Sequence, residues 1–223
     1  MLTRHAFNLA ENYRCPVFVV SNKEIGMTRE SIDLDAIDAP VPVQRTPSPD
    51  PKRFQPFAVR ADNTVPDFLP IGGQTLVRQT SSTHGTDGYI TTDPEEISRV
   101  LERMAVKLSG AVEKFSLYEI DLQDDTDILI ITYGVTARAA QVALEALRRS
   151  GQRVSLLILK TLWPVPDRLI RDTAKDMDRV IVVEMNMGQY VREIDRLLQK
   201  PIVEFVGRMD GTLISPDDIR EAV

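Results

Sequence analysis

The stretch DILIITYGVTARAAQVALEALRRSG, residues 127–151, decides the fold class of this chain. It contains the unbroken apolar run Ile128-Leu129-Ile130-Ile131, which indicates a strand buried on both faces, as in a parallel sheet covered by helices. The residues that follow the turn fit a helix over 136–149. A buried strand that leads directly into a helix is typical of a strand–helix–strand unit.

The same alternation of strand and helix extends outward from this stretch over the rest of residues 115–223. We predict strands at 115–120, 127–133, 154–160, 179–184 and 202–206. We predict helices at 136–149, 167–176 and 188–199, with a last helix that starts at Ser215-Pro216. Three crossovers in so short a segment predict a three-layer α/β/α domain with a mostly parallel, five-stranded sheet.

A further helix is expected just upstream of this domain. Asp93 can serve as its N-cap, with Pro94 at the first helical position and Glu96 three residues after the cap. Apolar residues then recur at helical spacing until Gly110, which can end the helix. They are Ile97, Val100, Leu101, Met104 and Leu108.

The first 30 residues have the pattern of half a strand–helix–strand unit. An apolar helical stripe consists of Leu2, Ala6, Leu9, Ala10 and Tyr13. Pro16 ends this helix, and Val17-Phe18-Val19-Val20 follows as a predicted buried strand. One helix and one strand cannot form a core. We therefore predict that residues 1–32 are the tail of a larger α/β domain, cut off here or completed by another polypeptide.

Residues 33–92 form a segment rich in proline, with eight of the 14 prolines between Pro40 and Pro70. Proline at this density prevents both helix and central strand. Disordered linkers seldom contain so many aromatic residues. We therefore predict an irregular connecting arm. The aromatic residues Phe54, Phe57, Phe68 and Tyr89 are expected to lie against another chain or domain.

Composition excludes several classes of function. The formal charge of −6 and the pI near 5.1 argue against a nucleic-acid-binding surface. The single cysteine, Cys15, excludes an intrachain disulfide and a cysteine-ligated iron–sulfur cluster. His5 and His84 have no metal-ligand spacing, so we predict no metal site. Residues 1–20 lack a signal-peptide pattern, and a cytoplasmic location is predicted.

Three strand ends at the carboxyl edge of the predicted sheet could carry chemistry. The turn Thr132-Tyr133-Gly134-Val135-Thr136 could hold an anion, but we favour a tight turn in which Thr136 caps the helix. Lys160 could be a Schiff-base or phosphate lysine, but the prolines that follow favour a strand end, with Trp163 packed against a neighbour. Glu184 could be a general acid or base, but it has no obvious partner.

The remaining polar features favour structural roles. A helix-cap network of Asn186 and Gly188 is the preferred interpretation of the turn after Glu184. His84 lies in a glycine-bracketed turn, where a lone histidine is more often a structural hydrogen-bonding group than a catalyst. The acidic run before the second strand is expected to be a solvated turn; it comprises Asp121, Asp124, Asp125 and Asp127. No residue is predicted to be catalytic.

Several of these segments together resemble the alpha subunit of 2-oxoacid:ferredoxin oxidoreductases. The segments are 127–151, VSLLILKTLWPVPDRLI at 154–170, VIVVEMNMGQYVREI at 180–194 and GRMDGTLISPDDI at 207–219. FLPIGGQTLVRQTSSTHGTDGYITTDPEEI at 68–97 is similar to the connecting segment of the same subunit, and residues 5–32 to the end of its pyrimidine-binding domain. The resemblance is to the carboxyl-terminal part of the subunit, and 2-oxoglutarate enzymes are the most similar subclass.

The resemblance implies a transketolase carboxyl-terminal-like domain at 93–223, whose first strand is antiparallel to the other four. It also implies a complex that decarboxylates a 2-oxoacid on thiamine diphosphate, passes electrons through iron–sulfur clusters to ferredoxin and forms an acyl-CoA. The partners implied are a beta subunit, which binds the diphosphate, and the missing N-terminal half of the alpha subunit. No cofactor is expected on this chain alone.

This sequence departs from the family pattern in two respects. The glutamate that contacts the pyrimidine ring in the family, and the threonine and arginine that hold the substrate, would lie upstream of residue 1. Ser21-Asn22-Lys23 stands where a Ser-Asp-Gly type of strand ending is common. The cofactor-binding residues therefore stay unknown, and we expect the isolated chain to be inactive.

Two other functions are compatible with the residues alone. One is a stand-alone module that binds an anion at the carboxyl edge of the sheet or serves only in dimerisation. The other is the beta-type subunit of a lipoyl-linked 2-oxoacid dehydrogenase, which uses the same terminal domain. The incomplete unit at residues 1–30 argues against the first. The KTLWPxP and ExNxGQ segments argue against the second.

Overall fold

The computed structural model describes residues 1–38, 40–61 and 64–223. The chain divides into two compact units. Unit 1 comprises residues 1–20 and 30–111, and unit 2 comprises residues 21–29 and 112–223. The domain boundaries predicted at residues 32 and 92 stay a prediction. No helix among the described residues is long and apolar enough to span a membrane.

Unit 2 contains a five-stranded sheet with helices on both faces. Its strands are β1 (Tyr118–Asp121), β2 (Ile128–Tyr133), β3 (Val154–Leu159), β4 (Arg179–Glu184) and β5 (Ile202–Gly207). Its helices are α2 (Lys23–Met27), α4 (Val112–Phe115), α5 (Thr136–Arg149), α6 (Asp167–Ala174), α7 (Gln189–Leu197) and α8 (Pro216–Ala222). The strand order is β1-β3-β2-β4-β5. Only β1 is antiparallel to its neighbour, so the predicted fold class is confirmed.

Alternation along the three inner strands builds two separate apolar cores. In β2, Ile128 and Ile130 point to one face, while Leu129 and Ile131 point to the other. The first face packs against α5 and α8, and the second face packs against α6 and α7. Because both faces of these strands are covered, their sequences are continuous apolar runs.

The edge strands differ from the inner strands in their charged residues. All four residues of β1 are exposed, and Glu119 of this strand pairs with Lys160. Asp121, at the end of β1, forms an ion pair of 2.9 Å with Arg148 of α5. On the other edge, Arg179 of β4 holds the carboxylate of Glu204 in β5, with 2.6 Å between Nε and Oε1. Charged side chains on an edge strand disfavour its pairing with a strand of another molecule.

Unit 1 contains the helices α1 (Leu2–Tyr13) and α3 (Pro94–Ser109), together with an irregular arm. Both helices were predicted, and Asp93 caps α3 by accepting a hydrogen bond from the Glu96 N–H at 2.8 Å. The arm has a short 3-10 helix at Pro51–Arg53 and isolated bridges, such as Pro47 with Phe68, among its described residues. This agrees with the prediction that its prolines prevent helix and central strand.

Arginine side chains hold the arm in place. Arg14 donates from Nη1 to the carbonyl oxygens of Pro56 at 2.9 Å and Asp67 at 3.2 Å. Arg103 of α3 donates to the carbonyl oxygen of Thr64 at 3.1 Å. Because proline has no N–H, a proline-rich segment has few backbone donors for its carbonyl groups. Long cationic side chains supply those donors here.

A buried lysine connects the two helices of unit 1. Lys107 of α3 is almost completely buried, and its ammonium donates to the carbonyl oxygen of Tyr13 at 2.6 Å. Burial lowers the pKa of Lys107 below its ordinary value. The hydrogen bond is the compensation that a buried cation requires.

The predicted strand at residues 17–20 is wrong for the chain as it stands. The segment is outside any strand, and Phe18 and Val20 are 87% and 85% exposed. The reason is that a strand needs a neighbour, and no described strand pairs with this segment. Helix α2, which follows it, was not predicted because five residues are too few for a helical pattern.

Candidate functional site

The carboxyl ends of β2 and β4 meet at the centre of the sheet. These strands are neighbours, but α5 follows β2 on one face and α7 follows β4 on the other. In open α/β sheets such a change of side creates a crevice in which ligands commonly bind. The residues at this crevice are therefore the first candidates for a site.

Glu184 lies at the end of β4 and is completely buried. Its Oε2 accepts hydrogen bonds from the Tyr133 hydroxyl at 2.7 Å, from Asn186 Nδ2 at 2.7 Å and from the Tyr190 N–H at 3.1 Å. Its Oε1 accepts from the Val191 N–H at 2.9 Å. We call Tyr133, Glu184, Asn186 and Tyr190 the Glu184 cluster.

The Glu184 cluster has the properties of a structural network. Four donors surround the carboxylate, two of them N–H groups in the first turn of α7, where negative charge is favoured. Burial, followed by the hydrogen bond to Glu184, raises the pKa of Tyr133 far above its ordinary value. The tyrosine therefore stays a neutral donor. A carboxylate that already accepts four hydrogen bonds within the chain has little acceptor capacity left for a substrate.

The turn after β4 confirms the predicted helix cap. Asn186 Oδ1 accepts hydrogen bonds from the N–H groups of Gly188 at 2.7 Å and Gln189 at 3.1 Å. Gly188 adopts a left-handed conformation with φ +82°, which glycine tolerates without strain. The partner of Glu184 that the sequence did not reveal is Tyr133, 51 residues away and the last residue of the adjacent strand.

The turn after β2, residues 132–136, differs from the prediction in its cap. Thr136 does not cap α5; its hydroxyl donates back to the carbonyl oxygen of Tyr133 at 2.6 Å, and Val135 stands at the N-cap position. The Val135 N–H donates a hydrogen bond to Asn22 Oδ1 at 3.0 Å. Thr136 lies one residue inside the helix, where its backbone already has helical dihedral angles.

Asn22 packs against the turn after β2, at the position where the sequence suggests an anion. Gly134 has φ +63°, and a Cβ atom built there would come within 2.5 Å of Asn22 Oδ1. The carboxamide oxygen therefore packs closely on the glycine and takes one of the free N–H groups of the turn. Asn22 and Val135 are 113 residues apart, which is why the sequence did not reveal this contact.

The strand end at Lys160 has a structural role. The Lys160 ammonium pairs with the carboxylate of Glu119 on β1. Tyr190 connects the same loop to the Glu184 cluster, because its hydroxyl donates to the carbonyl oxygen of Leu162 at 3.2 Å. Trp163 is 73% exposed, so the residues that the structure describes do not supply the predicted neighbour for its indole.

The two remaining candidates are also structural. His84 stacks on Phe57 with 3.6 Å between ring centroids, and its Nδ1 lies 3.1 Å from the Gly85 carbonyl oxygen. In the acidic run, Asp121 pairs with Arg148, and Asp125 has a left-handed backbone with φ 55°. Among the described residues, no group of three or more His, Cys, Asp or Glu side chains is arranged to hold a metal ion.

Comparison with known proteins gives one family. Residues 126–219 match the model of the pyruvate:ferredoxin oxidoreductase core domain II. The chain is 32% identical over 220 residues to the 2-oxoglutarate synthase subunit KorA of Methanothermobacter thermautotrophicus, covering 97% of this chain and 58% of that protein. It is also 32% identical over 223 residues to the ketoisovalerate oxidoreductase subunit VorB of the same organism, covering 55% of that protein.

A solved structure agrees on the fold. The 2-oxoglutarate:ferredoxin oxidoreductase from Magnetococcus marinus, with 2-oxoglutarate, coenzyme A and succinyl-CoA bound, superposes with a TM-score of 0.81 at 23% identity. The match covers 96% of this chain and 38% of that one. The chain thus spans a little more than half the length of the relatives that it matches in sequence. Over nearly its whole length the chain is thus similar to subunits of 2-oxoacid:ferredoxin oxidoreductases, and its residues 126–219 match the core domain II of that family.

Proposed function

We propose that this chain is part of the alpha subunit of a 2-oxoacid:ferredoxin oxidoreductase, with 2-oxoglutarate as the substrate. The complete enzyme would convert the 2-oxoacid and CoA into an acyl-CoA and carbon dioxide and pass the electrons to ferredoxin. The observation that supports this most strongly is the 32% identity to a 2-oxoglutarate synthase subunit over 97% of the chain.

Within that enzyme we propose a structural role for the chain, in three segments. Residues 1–32 would be the tail of the pyrimidine-binding domain, residues 33–92 a connecting arm, and residues 93–223 a transketolase carboxyl-terminal-like domain. The Glu184 cluster supports a structural role, because its carboxylate is completely buried and accepts four hydrogen bonds from this chain. We assign no catalytic residue to this chain.

The cofactors of the enzyme fit poorly on the residues of this chain. Thiamine diphosphate needs a carboxylate that can contact its pyrimidine ring. The buried carboxylate at the crevice, Glu184, already accepts four hydrogen bonds from this chain. An iron–sulfur cluster needs about four thiolates, and this sequence has one cysteine. We therefore propose that thiamine diphosphate, the iron–sulfur clusters and CoA are held by the rest of the complex.

Because we place the cofactors on the rest of the complex, we also propose the partners that would hold them. They are a beta subunit and the remaining half of the alpha subunit, with ferredoxin as the acceptor of the complex in the cytoplasm. Exposed apolar side chains that a contact of this kind would cover include Tyr89 of the arm and Trp163. Phe54, Phe57 and Phe68 are mostly buried in the chain itself, so only a smaller part of each is free for a partner.

Isolation of the native complex tests this function. The untagged chain would be purified from its source, its partners identified, and the same fractions assayed for thiamine diphosphate, iron and 2-oxoglutarate-dependent viologen reduction. We expect all three to coelute with the chain. A chain that elutes alone, without either cofactor, would contradict the proposal and favour a binding or dimerisation module.

A further inference from the structure

A polar cleft of about 240 Å³ lies between α1 and the arm within unit 1, and we call it the arginine cleft. The guanidinium groups of Arg14 and Arg45 and the carboxylate of Glu11 are the charged groups in its lining, so its walls have a net positive charge. The residues that line it are Glu11, Asn12, Arg14, Gln44, Arg45, Thr46, Val65 and Pro66. A cleft with one sign of charge in excess concentrates ligands of the opposite charge, which here means anions.

Neither arginine uses all of its N–H groups within the chain. Arg14 donates from Nη1 to main-chain carbonyl oxygens, including those of Pro56 and Asp67. Arg45 donates from Nε and Nη2 to the carboxylate of Glu11. Within the described ranges, Nε and Nη2 of Arg14 and Nη1 of Arg45 have no hydrogen-bond partner. Each cation therefore keeps donors that a ligand can use.

Aromatic rings hold both guanidinium groups. The Cζ atom of Arg45 lies 4.7 Å from the ring centroid of Phe68, and that of Arg14 lies 5.8 Å from the ring centroid of Phe57. An aromatic ring contacts the face of a guanidinium group and leaves the N–H groups at its edge available. The two cations are thus held in place before a ligand binds, which reduces the entropic cost of binding.

The positive charge of Arg14 is not balanced by a carboxylate in the lining of the cleft. Its acceptors are neutral carbonyl groups, and the carboxylate of Glu11 is paired with Arg45. Burial, followed by repulsion from Arg45 and Arg103, lowers the pKa of Arg14 below its ordinary value, and the group still stays charged at neutral pH. A half-buried cation beside other cations is stabilised by an anion that pairs with it.

We propose that the arginine cleft binds a small oxyanion, a carboxylate or a phosphate, through Arg14 and Arg45. The planar fork of a guanidinium group matches the oxygens of both anions. The carboxamides of Asn12 and Gln44 and the hydroxyl of Thr46 line the same cleft. Their side chains have no hydrogen bond to other described residues, so they are available as neutral donors for the remaining oxygens of the anion.

Isothermal titration calorimetry of the full chain tests this site, with inorganic phosphate in one titration and succinate in the other. We expect saturable binding of at least one of the two anions at one site, with a Kd of about 1 mM or tighter. Binding of phosphate alone would assign the site to phosphate groups, and binding of succinate alone would assign it to carboxylates. No saturable binding of either anion at concentrations up to about 10 mM would overturn the proposal.

A matched pair of variants locates the binding in the cleft. Gln44→Glu adds a negative charge to the lining at an exposed residue, so the fold should be retained, and the affinity should fall about tenfold. Gln55→Glu is the control, because it makes the same change at an exposed residue of the same arm that does not line the cleft. The control should bind as the wild type does. Equal affinities of the two variants would overturn this location.

Arg45→Lys is a second variant, which separates recognition by the guanidinium group from attraction by its charge. Lysine keeps the positive charge beside Glu11 but lacks the planar fork and its unpaired Nη1. We expect an affinity about tenfold lower than that of the wild type. An unchanged affinity would contradict recognition through Arg45. The proposed function does not depend on these outcomes, since it is tested through the partners and cofactors of the complex.

Discussion

Unit 1 and unit 2 contain similar numbers of residues but are held together by different forces. Unit 2 has two apolar cores, and residues such as Leu129, Ile130 and Ile181 are completely buried in it. In unit 1, the buried apolar residues that the structure describes are Ala111 and the prolines Pro56 and Pro66. Hydrophobic burial is the main source of folding free energy. Unit 2 is therefore expected to be much the more stable of the two.

Polar contacts between side chains and backbone hold unit 1. Asn8 of α1 pairs with the arm through two hydrogen bonds, to the Val41 carbonyl oxygen at 2.8 Å and from the Val43 N–H at 2.9 Å. Arg45 pairs with Glu11, with Nη2 at 3.0 Å from Oε1. Such bonds contribute only about 1 kcal/mol each, because water competes for the same groups. These bonds are therefore expected to stabilise unit 1 less than the two apolar cores stabilise unit 2.

The largest effect is expected from Glu184→Ala. This variant leaves the four donors of the Glu184 cluster without their acceptor, and we expect unit 2 to lose about 3 to 5 kcal/mol of unfolding free energy. Glu184→Gln retains one acceptor oxygen and should lose about half as much. Urea unfolding followed by circular dichroism measures both. Equal stability of Glu184→Ala and the wild type would contradict the structural role of this carboxylate.

A matched pair of leucine substitutions compares the two units directly. Leu129→Ala removes a completely buried side chain from unit 2 and should cost about 3 kcal/mol of unfolding free energy. Leu76→Ala removes a side chain that is 78% exposed in unit 1, and its cost should be within about 0.5 kcal/mol. Thermal unfolding by calorimetry gives both values. A cost at Leu76 similar to that at Leu129 would contradict the exposure of Leu76 in unit 1.

The contact of Gly134 with Asn22 gives a smaller effect in unit 2. Gly134→Ala should cost about 2 kcal/mol, because an alanine at φ +63° is strained and its Cβ meets Asn22 Oδ1. Asn22→Ala should cost about 1 kcal/mol through the lost acceptor for Val135 N–H. In the double variant the clash is absent, so its loss of unfolding free energy should be smaller than the sum of the losses of the two single variants. Strict additivity would contradict the contact.

The smallest effect on global stability is expected from Arg14→Ala in unit 1. The arm loses a donor to the carbonyl groups of Pro56 and Asp67, so residues 54–68 should become more accessible to proteases and exchange faster. The melting temperature of unit 2 should stay the same. Arg53→Ala, which removes a highly exposed arginine from the same arm, is the control and should change neither property. A lower melting temperature of unit 2 in Arg14→Ala would contradict the claim that Arg14 stabilises the arm alone.

The accuracy of the sequence-based predictions also differs between unit 1 and unit 2. The five strands of unit 2 were predicted within three residues at either end, because burial on both faces produces continuous apolar runs. Residues 17–20 have the same pattern but no neighbouring strand, so their burial was predicted wrongly. The Glu184–Tyr133 and Asn22–Val135 contacts join residues far apart in sequence, and short motifs do not reveal such pairs. The cap by Asn186 was predicted because it lies within a single turn.

One measurement tests the central claim that this chain is an inactive part of an oxidoreductase alpha subunit. Viologen reduction that depends on 2-oxoglutarate and CoA would be followed with the purified chain alone, and again after the partners from the native complex are added back. We predict no reduction with the chain alone and full activity in the reconstituted sample. Turnover by the chain alone, or no activity after reconstitution, would contradict the account.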